Sequence, residues 1–117
     1  MILIVDDVPD VLRTLARITR RLGYAVHTAS DGDAALALLE AERVDLVLSD
    51  VSMPGMSGIE LARRAIAMVG ATAVLTTGCH DTGNAVSQEG YPVLLKPFGI
   101  RELSVVLEQS LRARTQH

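Results

Sequence analysis

The chain has 117 residues, of which 49% are apolar, 21% charged and 3% aromatic. That is the length of one domain, with enough apolar material to bury a core without disulfides and too much for a disordered chain. Eleven Lys and Arg against fourteen Asp and Glu give a net charge of -3, which argues against a nucleic-acid partner held by a basic stripe, and the single cysteine excludes a disulfide framework or a multi-cysteine metal centre.

No apolar run approaches the roughly 20 residues of a membrane span. Residues 1–5 are apolar but lack a basic flank and a cleavage-like site, so they do not read as a signal peptide. The expectation is a cytoplasmic domain in a reducing compartment, with no membrane contact of its own.

The continuous apolar run at residues 2–5 predicts a strand buried on both faces. It stops at Asp6 and Asp7. Pro9 suits a first helical turn, and Val11, Leu12, Leu15, Ile18 and Leu22 follow at helical spacing until Gly23. Residues 24–29 predict a second strand. Ser30, with Asp33 three residues on, resembles a capping box ahead of Ala35, Leu36, Leu38 and Leu39. Residues 46–48 predict a third strand ending at Ser49 and Asp50, before a loop through Ser52, Met53, Pro54, Gly55 and Met56. Ser57 and Glu60 form another capping box ahead of Leu61, Ala62, Ala65 and Ile66. Residues 73–76 and 93–95 predict the fourth and fifth strands, the latter ending at Lys96 and Pro97. Leu103, Val106, Leu107 and Leu111 mark a last helix. Residues 78–91 hold three glycines and little apolar pattern, so at most a short helix fits there, around residues 81–88.

Alternation of strand and helix over the whole length predicts an α/β fold, with a parallel sheet covered by helices on both faces and right-handed crossovers. Ligands of such sheets sit outside the carboxyl ends of the strands. The first strand delivers Asp6 and Asp7 there, the third Asp50, the fourth Thr76 and Thr77, and the fifth Lys96. Three carboxylates in one crevice repel one another, and they stay ionised together only with a cation among them. A hard, oxygen-liganded ion such as Mg2+ suits them. An ammonium and a hydroxyl at the same edge match the equatorial oxygens of a transferring phosphoryl group. One carboxylate is then a nucleophile that becomes an aspartyl phosphate. Asp50, alone on its strand end, is the candidate, and the Asp6–Asp7 pair is placed to hold metal.

Ile-Val-Asp-Asp at residues 4–7, Met-Pro-Gly-Met-Ser-Gly shortly after Asp50, and Lys96-Pro97-Phe98 together resemble the receiver domain of two-component response regulators. The resemblance covers essentially all of residues 1–117, as one domain. It implies a flavodoxin-like, doubly wound five-stranded sheet of order 2-1-3-4-5. It also implies that Asp6, Asp7 and Asp50 surround Mg2+, with the backbone carbonyl of Ser52 as a further ligand. Asp50 would take a phosphoryl group from the phosphohistidine of a histidine kinase or a histidine phosphotransfer protein. Thr77 and Lys96 would bind the phosphoryl oxygens, and the Lys96–Pro97 bond would be cis. Thr76 competes with Thr77 for the hydroxyl role, and alignment on Leu-Thr-Gly favours Thr77.

Two departures from the family stand out. The stretch from Thr77 to Lys96 is shorter than usual, which implies a short or irregular fourth helix. Val93 stands where receivers often carry an aromatic switch, with Tyr91 two residues earlier. The ending around Lys96 resembles receivers attached to hybrid histidine kinases.

The implied function is a phosphoacceptor signalling domain. It would catalyse only its own phosphorylation and dephosphorylation and act on a downstream protein target. The alternatives are a pseudo-receiver that works without phosphate, or an aspartate-nucleophile phosphatase, which would carry an Asp-x-Asp after the first strand. A stand-alone regulator, a phosphate shuttle and a segment of a longer protein all stay open. Cys79-His80-Asp81, His27, Met53, Met56 and the arginine pairs at 20–21 and 63–64 read as ordinary loop, packing and surface residues.

Overall fold

A computed structural model describes residues 1–115; residues 116 and 117 of the expected domain lie outside them. Strands and helices alternate throughout: β1 (Ile2–Val5), α1 (Pro9–Arg21), β2 (Val26–Ala29), α2 (Gly32–Ala41), β3 (Leu46–Asp50), α3 (Gly58–Val69), β4 (Thr72–Thr77), α4 (His80–Gln88), β5 (Val93–Leu95) and α5 (Ile100–Thr115). The strands form one sheet in the order β2-β1-β3-β4-β5, and all pairings are parallel. Among the described residues no helix is long and apolar enough to cross a membrane.

Successive strand residues point to opposite faces, which is why the central strands are apolar throughout. Ile2, Ile4, Leu46, Leu48, Val74 and Leu94 pack on one face against Leu15 and Ala16 of α1 and Leu103 and Leu107 of α5. The alternate residues turn the other way. Leu3, Val5 and Val47 meet Leu39 of α2 and Leu61 and Ala65 of α3. Ala73 and Leu75 meet Ala62 of α3 and Val86 of α4. Each fully buried leucine contributes about 1.5–3 kcal/mol relative to an exposed one.

Local chemistry sets the element ends. Ser57 Oγ accepts the Glu60 N–H at 3.2 Å and caps α3, as the sequence pattern predicts. The cap of α2 is a correction: it is Asp31, not Ser30, whose Oδ1 accepts the Ala34 N–H at 2.7 Å. The two polar residues are adjacent, and the one that lies three before a free first-turn N–H takes the role. β2 begins at Val26 rather than 24, because Tyr24 N–H still bonds Thr19 O as the chain leaves α1 through Gly23, at φ 101°. The Lys96–Pro97 bond is cis.

The expected short fourth helix is present as nine residues of regular α-helix. Gly83 lies in its middle, where glycine costs about 1 kcal/mol of helix propensity. The same absence of a side chain lets α4 lie close on the sheet. A Cβ at Gly83 would stand 3.0 Å from Leu95 Cδ2 and 3.5 Å from Thr77 Cγ2.

Candidate phosphoacceptor site

Asp6, Asp50, Thr77 and Lys96 all leave the sheet at its carboxyl edge, and three of the strand ends share one local device. Asp6 Oδ1 accepts the N–H of Val8 at 2.9 Å, and Asp50 Oδ1 accepts the N–H of Ser52 at 3.3 Å. Thr77 Oγ1 accepts the N–H of Cys79 at 3.2 Å. In each case a side-chain oxygen takes the N–H two residues on, the bond that lets Asp and Thr turn a chain in place of a backbone contact. The device bends each strand end toward its helix and leaves the rest of the side chain facing the crevice.

Lys96 ties the edge together. Its Nζ donates to Asp6 Oδ2 at 3.1 Å and to Asp50 Oδ2 at 3.2 Å. Burial works against the ammonium. The bond to Asp6, the charges of Asp50 and Asp6 and the bond to Asp50 together outweigh it, so the Lys96 pKa lies above its ordinary value.

Asp7 completes the cluster. Oxygens of Asp6, Asp7 and Asp50 lie within 4.8 Å of one another, and the three grade from buried Asp6 through half-buried Asp50 to exposed Asp7. Three carboxylates therefore face one ammonium, which leaves a local excess of negative charge. That donor set fits a hard cation, with Asp7 open on the solvent side to keep its waters.

Two further residues shape the site: Gly58, to which the sequence reading assigns no role, and Thr76, which it weighs against Thr77 for the hydroxyl. Gly58, the last residue of the Met-Pro-Gly-Met-Ser-Gly motif, packs on the backbone of Asp50. Its N–H bonds Val51 O at 2.9 Å, and a Cβ there would fall 2.1 Å from the Asp50 carbonyl oxygen. Gly58→Ala is expected to destabilise the fold by about 1–3 kcal/mol, as overpacking does, and to displace Asp50. A lower denaturant midpoint at unchanged slope is the measurement. Thr76 is buried, and among the described residues its hydroxyl has no hydrogen-bond partner.

The residues read as ordinary sit as such. His27 is exposed on β2 and Met53 is in the core beside α2 and α3. Met56 packs over the start of α2, where a Cβ on Gly32 would fall 2.7 Å from it. Arg63 and Arg64 pair with Glu60 and Glu89 on the surface. Cys79 is the exposed N-cap of α4. The Thr82 hydroxyl and the Thr82 and Asp81 N–H groups beside it favour the thiolate and lower its pKa.

Residues 2–108 match the family model of the response regulator receiver domain. The chain belongs to that family. It is 36% identical to the positive alginate biosynthesis regulatory protein of Pseudomonas aeruginosa, over 95% of this chain and 47% of that protein. To the sensor histidine kinase RcsC of Salmonella typhimurium it is 44% identical, over 76% of this chain and 9% of the kinase. The receiver thus spans half or less of these curated relatives. Among solved structures, the signal receiver domain of an HD domain-containing protein from Pseudomonas fluorescens superposes with a TM-score of 0.88 at 32% identity, covering 99% of this chain and 97% of that one. A CheY-like receiver from Methanospirillum hungatei gives 0.87 at 30%, covering 98% and 95%.

Proposed function

We propose that residues 1–117 form one phosphoacceptor receiver domain that takes a phosphoryl group onto Asp50 from a phosphohistidine donor. The observation that carries this reading is the Lys96 ammonium held between Asp6 and Asp50, with Asp7 completing a three-carboxylate cluster.

Asp50 is the nucleophile. Its Oδ attacks phosphorus, the donor's N–P bond breaks, and the electron pair of that bond stays on the departing imidazole nitrogen. Asp6, Asp7, Asp50 and the Ser52 carbonyl would hold Mg2+, which supplies positive charge to the transferring phosphoryl oxygens. Lys96 adds its ammonium to the same oxygens. Thr77 Oγ1 already accepts from Cys79 N–H, so its own O–H is free to donate to a phosphoryl oxygen.

Donor and target are proteins. A groove of about 420 Å3 between α1 and the start of α5, lined by Val11, Ile18, Phe98 and Ile100, opens beside Lys96 and offers a histidine kinase or phosphotransfer protein an apolar seat. The phosphoryl group adds charge and acceptor oxygens at the carboxyl edge, which biases the surface seen by a downstream protein. The single cysteine fits action in the cytoplasm.

Acetyl phosphate with Mg2+ is expected to add one phosphoryl group per chain, read as intact mass, and EDTA to prevent it. An unlabelled protein would favour the phosphate-independent module. Steady turnover of a simple phosphomonoester would favour the phosphatase. Lys96→Ala is expected to keep its metal affinity within a few-fold and to lose at least about tenfold in labelling rate, one charge-assisted bond being worth about 1.5–3 kcal/mol. Lys96→Arg recovers only part of that, because a planar fork does not replace a point charge. Full labelling in Lys96→Ala would remove the fifth strand end from the site.

A further inference from the structure

Asp6, Asp50, Thr76 and Leu94 form one row across the sheet. Val5 pairs with Ser49, so the next residues, Asp6 and Asp50, are neighbours; Asp50 pairs with Thr76, and Thr76 with Leu94. Ile4, Leu48 and Val74, two residues earlier on their strands, share one core cluster with Leu94. Strand side chains alternate, so Asp6, Asp50 and Thr76 continue that same face. Thr76 therefore stands beside the proposed phosphoacceptor, about 4.8 Å away across the strand spacing. Lys96 follows β5 two residues after Leu94, and to reach Asp50 on β3 its stem has to cross the carboxyl end of β4.

In this row sits an anomaly. Thr76 is 1% exposed, and among the described residues its Oγ1 has no hydrogen-bond partner. A valine has the same shape without the unmet hydroxyl, so the oxygen lowers the stability of the resting protein. Asp50 Oδ2, meanwhile, is engaged by Lys96. A phosphoryl group on Asp50 would draw the ammonium toward its own oxygens and release Oδ2, whose two lone pairs can serve both Mg2+ and one hydrogen-bond donor.

We propose that Thr76 is a positioning residue for Asp50, its buried hydroxyl donating to the side-chain oxygen that Lys96 releases when a phosphoryl group arrives. This rests on the phosphoacceptor reading above. It makes Thr76 a second hydroxyl beside Thr77, with a different task. Thr77 serves the phosphoryl oxygens, and Thr76 orients the carboxyl group that carries them. The orphaned hydroxyl of the resting state becomes satisfied in the phosphorylated one.

The test compares wild type, Thr76→Val, Thr76→Ser and Thr19→Val. Thr19 is the control, because its Oγ1 is also buried without a partner but lies in α1 rather than in the carboxylate row. Each protein is melted without ligand and with Mg2+ plus beryllium fluoride, a phosphoryl mimic, and its labelling rate with acetyl phosphate is measured. Thr76→Val is expected to melt about 3–5 °C above wild type without ligand, to gain less from beryllium fluoride, and to label about tenfold more slowly. Thr76→Ser keeps the hydroxyl and is expected to keep the wild-type gain and a rate within threefold. Thr19→Val is expected to rise in melting temperature with its ligand-linked gain and labelling unchanged. Wild-type gain and wild-type labelling in Thr76→Val would overturn the proposal and leave the phosphoacceptor reading standing. A wild type that takes no label overturns both.

Discussion

Asp50→Asn is expected to fold, to keep its bond to the Ser52 backbone N–H, and to take no label from acetyl phosphate. The amide keeps the shape of the carboxylate, and its oxygen still accepts the Ser52 N–H that turns the chain out of β3. It lacks the negative charge that makes a carboxylate oxygen nucleophilic, so no O–P bond forms. The cost in stability is small. Lys96 loses one anionic partner at 3.2 Å and keeps the other, Asp6, at 3.1 Å. One of three mutually repelling carboxylates also goes, so the change in unfolding free energy is expected within about 1 kcal/mol. Intact mass, then peptide mapping after borohydride trapping, measures the label and its position. A protein that labels equally well as Asp50→Asn uses another residue, and the assignment of β3 as the phosphoacceptor strand falls.

Asp6 and Asp7 are adjacent in sequence and opposite in expected effect. Asp7 is exposed and, among the described residues, makes no hydrogen bond or ion pair. Without metal it contributes mainly repulsion toward Asp6 and Asp50. Asp7→Asn is therefore expected to raise stability in EDTA by about 0.5–1 kcal/mol, or a few degrees in melting temperature. Asp6 is 1% exposed and bound to Lys96. Asp6→Asn keeps the acceptor for Val8 N–H but removes the anion that holds the ammonium. Breaking a fully buried pair costs about 3–5 kcal/mol. Lys96 is 27% exposed and retains Asp50, so about 1–3 kcal/mol is expected here. Both variants are expected to lose at least about tenfold in Mg2+ affinity, since each removes charge from a site with few protein ligands. Thermal melts in EDTA and a Mg2+ titration read the two effects separately. Equal stability changes of the same sign in the two variants would contradict the arrangement of Lys96 between Asp6 and Asp50.

Much of this molecule is written locally. Ile2 to Val5 reads as a strand because four apolar residues in a row fit a sheet covered on both sides, and the same run ends at the two acids. Ser57 announces α3 because a cap and its N–H lie three residues apart. Residues 78–91 look weak because glycines interrupt them, and the helix there is only nine residues long. Where two local signals compete, the reading slips, as between Ser30 and Asp31 at the start of α2, or between Thr76 and Thr77 at the end of β4.

The sequence by itself determined the order of strands and helices, the family, and which acids, hydroxyls and ammonium reach the carboxyl edge, because each depends on periodicity and spacing within a few residues. Tertiary structure alone decided how those groups meet. Lys96 joins Asp6 across 90 positions of chain, a contact that exists only because β5 and β1 lie in one sheet with β3 and β4 between them. Gly58 is required because α3 returns to the backbone of Asp50, and Gly83 because α4 lies on Leu95 and Thr77. The two threonines part for the same reason. Adjacent strand residues face opposite sides of the sheet, so Thr77 turns its hydroxyl to the Cys79 N–H while Thr76 is buried beside Asp50 with no partner.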